Sequence, residues 1–315
     1  MNKKYVYFLL LFVFQVIYLP AQNYLDYYQE INQGRLHLLE EKLDAAIDSY
    51  YTTFETFDFV FARDCYHTME LAVLAGDTMK LDYFIRRGLQ RGIKMEFLLN
   101  AGLLDDYKEA AFMKAILVDQ DQLAEQYQAS INWDIRAEII GMFAADQAIR
   151  KRYYDATLFK RKKIGKEWEA LNKKQVERMI EITKEYGFPG EKLIGIASQE
   201  MHEKVDDGSL AAIMPIIIFI HHYSQPNPSY NEILIEQIPK GNLHNKHFAT
   251  ICDFEAEFGK GKYPNLGYFA FNHKPKKLDM EAINKRRQKV KLLSIQKYDQ
   301  LFASRKLKAF WVRLY

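Results

Sequence analysis

The chain has 315 residues, 49% of them hydrophobic and 14% aromatic, and carries a formal charge of only +3. Such a composition excludes a generally disordered chain, which is poor in these residues and strongly charged, and the near-neutral balance argues against a dedicated nucleic-acid binder. Two cysteines, Cys65 and Cys252, exclude a disulfide framework and a four-cysteine zinc site. They leave open one disulfide or two buried thiols, and their apolar neighbours favour thiols.

Residues 1–21, MNKKYVYFLLLFVFQVIYLPA, put Lys3 and Lys4 before an apolar run, then Pro20 and the small Ala21. This is the order of a secretory signal peptide, with cleavage expected after Ala21. The run falls short of the roughly 20 apolar residues that span a bilayer. The mature chain is expected outside the cytoplasm, in the periplasm by default or secreted, without a membrane span.

From Leu36, apolar residues fall at Leu39, Leu43, Ala46, Ile47, Tyr50, Phe54 and Phe57, steps of three and four that predict one helical stripe. A second pass follows about 35 residues later, with Leu71, Leu74, Leu81 and Ile85 divided by Gly76 and Asp77. This period, with small residues at Gly34 and Ala46, resembles tetratricopeptide helix pairs. Met69 and Leu81 stand where the second copy would need small side chains, so only the hairpin architecture is carried over. An ordinary helical bundle is the alternative.

Residues 94–132 continue in helical pattern, with turns expected at Asp105–Asp106 and Asp119–Asp121, and Trp133 to Tyr154 reads as a long helix. Gly187, Pro189 and Gly190 end the next helix, which contains Val176, Ile180 and Ile182. Ala211 to Ile220 is apolar but too short to cross a membrane, and is expected in the core. A helix is expected around Ile233–Ile238, and Asp279 is placed to cap another from Met280 to about Ala303. Strand signals are scarce, and the best is Tyr268–Phe271. The prediction is a mainly α protein: signal peptide 1–21, tetratricopeptide-like helical hairpins over 22–130, and an irregular helical domain over 131–315.

Over about residues 133–271 an ordered set of residues recurs: Asp146, Gln147 and Arg150 in FAADQAIR; Asn172 in EALNKKQVERM; Gly187, Phe188 and Pro189 in EYGFPG; Gly195; His221; Gly241; and Asp253. In these the chain resembles a family of uncharacterised bacterial proteins, often exported, that share a mostly helical domain of unknown function. The resemblance implies a helical fold and a polar cluster. Where the family has Gln-His-Ala-Asp or a near variant, this chain has Ile220, His221, His222 and Tyr223, so the acidic companion of the histidine is missing. Phe254 replaces a family arginine, and Gly267 to Ala270 replace a Tyr-Gly-Thr-Gln-like close.

Six histidines lie between positions 202 and 273: His202, His221, His222, His244, His247 and His273. His244 and His247 have the i, i+3 spacing of two metal ligands, which makes zinc a possible cofactor, although no HExxH motif supports it. Histidines capping helix ends are the simpler account. Asp146 and Arg150 are spaced as an i, i+4 pair that either orients an anionic group or braces the helix against Asn172 or Asp253. Basic residues gather at 150–166 and 274–291; two solvated helix faces, or docking on an acidic protein or anionic lipid, account for them. Tyr24, Tyr27, Tyr28, Tyr50, Tyr51 and Phe54 are either core or the lining of a peptide groove.

The expected function is a non-catalytic helical scaffold or binding protein with a protein or peptide partner. The alternative is a hydrolase-like or metal-dependent enzyme with catalytic candidates His221, His222, Asp253, Arg150 and Asp146, and binding candidates Gln147 and Asn172.

Overall fold

Turn chemistry, more than apolar spacing, decides where the helices stop. The computed structural model describes residues 22–196, 210–225, 227–259, 267–269 and 279–304. The leader, His202, His273, part of the second basic stretch and half of the expected strand lie outside them. The described residues are mainly α, with no strand among them.

The apolar stripe expected as one helix from Leu36 to Phe57 is two helices, α1 (Tyr24–Leu39) and α2 (Leu43–Thr56). Glu41 turns the chain between them with φ 62°. The next pair, α3 (Ala62–Ala75) and α4 (Thr78–Leu89), turns at Gly76 with φ 67°, the position 35 residues after Glu41. Lys42 N donates to His37 O at 2.9 Å and Asp77 N to Ala72 O at 3.0 Å, the six-to-one bond of a Schellman turn in each case. The two hairpins therefore turn with the same geometry, 35 residues apart, and in the second Asp77 also caps α4 by accepting from Lys80 N.

Gly34 lets the first pair close, because a Cβ there would lie 2.8 Å from the Tyr50 ring. In the second pair the large side chain is Met69, and the residue that yields is Gly88. Gly34→Ala is expected to destabilise by ~1–3 kcal/mol in urea unfolding: overpacking outweighs the ~1 kcal/mol gain in helix propensity. A neutral or stabilising result would show that the pair relaxes freely.

Beyond α5 (Met95–Asn100) the chain makes a 3-10 turn at Asp105–Tyr107, as expected, and enters α6 (Ala111–Ser130). No turn forms at Asp119–Asp121. Both lie inside α6, where Asp119 accepts from Arg86 of α4 at 2.6 Å. The long α7 (Trp133–Asp155) and α8 (Leu158–Tyr186) form the next hairpin, and Gly187 ends α8 with φ 92°. After α9 (Glu191–Ile194), α10 (Leu210–Tyr223) runs through Pro215 and packs on both α7 and α8.

α11 (Asn231–Ile235) and α12 (Asn245–Phe254) lead into a π turn at Glu255–Gly259. The single helix expected from Met280 to Ala303 is two, α13 (Met280–Lys289) and α14 (Ile295–Ser304), parted at Lys291 with φ 55°. The cause is competition for backbone groups. Asn245 donates to Val290 O at 2.9 Å, Asn32 to Lys291 O at 2.7 Å, and Arg287 Nε to Leu293 O at 2.6 Å.

One hydrophobic cluster runs from Tyr24 to Leu301. Tyr24, Tyr27, Tyr28, Tyr50 and Phe54 belong to it, so they are core and do not line a peptide groove. Cys65 and Cys252 are buried free thiols, and burial pushes both up. Among the described residues no helix is long and apolar enough to cross a membrane.

Candidate functional site

Two polar constellations stand out from this packing. The first joins α7, α8 and α10 around Asp146, which is fully buried. His221 Nδ1 lies 3.0 and 2.9 Å from its two oxygens, so the ring nitrogen facing the carboxylate carries the proton. Trp168 Nε1 donates to Oδ1 at 2.8 Å and Gln147 Nε2 to Oδ2 at 2.8 Å. Asn172, with its amide nitrogen toward the carboxylate, adds a donor to Oδ1 at 3.0 Å. A buried carboxylate needs such donors to offset its desolvation.

The acidic companion of His221, missing from its own segment, thus arrives from α7. The Asp146–Arg150 pair does not form. Asp146 turns inward to the donors of α8 and α10, whereas Arg150 is exposed, contacts Gln147 Oε1 at 3.3 Å and lies over the Tyr154 ring. The brace is therefore built on Asp146 rather than Arg150. Trp168 belongs to no motif of the sequence; its one signal is its spacing to Asn172 and Gln175, which marks a polar stripe on an otherwise charged helix. Gln175 extends the stripe by donating to Met142 O at 2.6 Å.

Asp253 lies in a different arrangement. Its Oδ1 accepts from the backbone N–H groups of Tyr268 and of Phe269, the latter at 3.1 Å, while Arg287 Nη1 donates to Tyr268 O at 2.8 Å and Phe269 O at 3.2 Å. Carboxylate and guanidinium clamp the loop from both sides and set Phe269 against a cavity. His222 is buried, and burial lowers its pKa. His244 stands outside α12 as its N-cap, Nδ1 accepting from Lys246 N at 3.1 Å, which leaves the expected helical ligand pair with one member off the helix. Its ring centroid is 5.4 Å from that of His247. Burial holds His244 well below the usual imidazole range and pushes His247 down to about 3. Among the described residues no group of three His, Cys, Asp or Glu side chains is placed to hold a metal.

The second constellation is that cavity, about 50 Å³, lined among others by Arg35, Arg63, Lys246, Arg287, His244 and Phe269. The cations come from α1, α3, α12 and α13. Arg35 reaches Asp64 at 3.2 Å, and Asp64 also accepts from Tyr27 at 2.8 Å. Arg287, 3% exposed, is held by three carbonyls. The Lys246 ammonium has no hydrogen bond or ion pair among the described residues. Burial, then the guanidinium groups of Arg63, Arg35 and Arg287, push it down to about 7. Arg287 was expected on a solvated face of the second basic stretch; the structure buries it.

Compared with known proteins, the chain matches no family model, no curated protein and no solved structure. The likeness over residues 133–271 rests on the residues quoted for it.

Proposed function

We propose that the chain is an exported, non-catalytic helical binding protein whose cationic cavity holds a small oxyanion of the phosphate or sulfate kind. The observation that carries this reading is Lys246. Three guanidinium groups repel its ammonium, and among the described residues no carboxylate offsets them. A part-buried cation in such a field lacks the counter-charge that normally accompanies it, and an oxyanion supplies that charge together with acceptors for lysine and arginine donors. The cavity has room for about four waters by volume, the scale of one small oxyanion. The ligand is thus an anion in place of the peptide suggested by the aromatic residues.

Thermal unfolding in sulfate against chloride at equal ionic strength tests the reading. Sulfate strengthens apolar burial in any protein, so the informative quantity is the excess shift of the wild type over Lys246→Met. Saturating sulfate is expected to give an excess of several degrees, from about 3 kcal/mol at a hundredfold excess over Kd. Equal shifts in the two proteins would remove the cavity as a binding site.

One observation favours a hydrolase-like second reading: His221 is held by a buried carboxylate while its side chain stays 19% exposed. A carboxylate that fixes the imidazole tautomer is also what a general-base histidine needs. Ester or phosphoester hydrolysis by the purified protein that disappears in His221→Ala would establish it, and hydrolysis unchanged in that variant would eliminate it.

A further inference from the structure

The α7–α8 hairpin ends in a turn whose surface is neither core nor ordinary polar exterior. Tyr154, Leu158 and Phe159 are 59%, 79% and 96% exposed, within six residues of sequence. The turn is built to hold them out. Arg161 folds back to donate to Ala156 O at 3.0 Å and Tyr154 O at 3.1 Å, and Tyr153 packs on Trp168 with ring centroids 5.7 Å apart. The apex is thus tied to the Asp146 cluster beneath it.

Around this apolar apex, residues 150–166 contain eight lysines and arginines and one acid, Asp155. Lys151 pairs with Asp155 at 2.6 Å and Arg152 with Glu167 at 3.1 Å. Lys160, Lys162, Lys163 and Lys166 make no ion pair among the described residues. The excess charge is therefore turned outward.

We propose that this hairpin tip docks the protein on an anionic lipid surface. Leu158 and Phe159 enter the headgroup–acyl boundary, Tyr154 sits at its level, and the lysines lie over lipid phosphates with their stems along the apolar layer. Charge complementarity selects an anionic surface, and the apolar apex selects lipid among anionic surfaces. A nucleic acid would use the lysines and leave Leu158 and Phe159 in water. No span is required, since the tip lies in the interface.

Co-sedimentation with vesicles of phosphatidylglycerol and phosphatidylcholine, against phosphatidylcholine alone, tests the proposal. The full chain is compared with Leu158→Asp/Phe159→Asp and with Lys162→Glu/Lys163→Glu. All four side chains are exposed, so both variants are expected to keep the parent melting temperature. The wild type is expected to bind only the anionic vesicles, and to bind less as salt rises from about 0.05 to 0.5 M. The charge reversal is expected to lose about 100-fold or more in partition and the apolar variant about 10-fold or more. Emission of Phe159→Trp is expected to shift to the blue on adding anionic vesicles. Absence of binding, equal binding to neutral vesicles, full binding by either variant, or an unshifted Phe159→Trp spectrum would overturn the proposal. So would binding to a duplex oligonucleotide or to polyglutamate that survives when vesicle binding does not occur.

Discussion

Asp146→Ala is expected to lower stability by ~3–5 kcal/mol in urea unfolding, the largest loss of any single truncation around the α7–α8–α10 junction. The removed carboxylate is the shared acceptor for His221, Trp168 and Gln147, and for Asn172 in its donating orientation. Its loss leaves several buried donors without partners, and each such group costs about 1–3 kcal/mol. Asn in its place keeps the volume but turns one acceptor into a donor, and is expected to lose roughly half as much. A double-mutant cycle with His221→Ala separates the pair from the rest of the cluster, and its coupling is expected at ~1–3 kcal/mol because the residues share one network. A loss below ~1 kcal/mol in Asp146→Ala would mean that helix packing, and not the carboxylate, holds this junction.

Lys246→Met is expected to act in the opposite direction, stabilising the ligand-free protein by ~2–3 kcal/mol at pH 6 after allowance for partial exposure of the lysine. The sign follows from the two protonation equilibria. Folding moves the lysine from its ordinary 10.5 to about 7. Below about 7 both states hold the proton, and the folded state carries the full penalty of a charge among guanidinium groups. Between 7 and 10.5 the unfolded chain keeps the proton that the folded chain has released, so stability rises with pH through that window. Above it the two states match again. The advantage of the methionine variant is therefore expected to be largest at pH 6 and to fade toward pH 10, as read by urea midpoints across that range. An advantage independent of pH would place its origin in packing. A lysine that costs stability in the free protein is the pattern expected of a binding residue.

Much of the helical order was legible in the sequence, because Gly76, Asp77, Gly187 and Asp279 carry their own turn and cap chemistry. Helix ends governed by distant residues were not. Glu41 takes a left-handed conformation that its side chain does not advertise, and the break at Lys291 depends on Asn32 and Asn245, far away in the chain. The polar cluster of α7, α8 and α10 was partly legible: Asp146, Gln147, Asn172 and His221 were all candidates, but nothing local showed that Asp146 would face His221 while Asp253 clamps a loop. The cavity was the least legible feature. Arg35, Arg63 and Lys246 are lone basic residues on three separate helices and Arg287 is one of several in the second basic stretch, so only the packing of the N-terminal hairpins against the last helices brings the four together.

The most direct test is calorimetric titration of sulfate, whose own charge is constant in this range, near pH 8 in two buffers of different ionisation heat. Binding is expected to draw most of one proton from solution, as Lys246 regains its charge beside the anion, and Lys246→Met is expected to lose both the proton uptake and most of the affinity. Sulfate binding with no proton uptake, or with equal affinity in the methionine variant, would contradict the account.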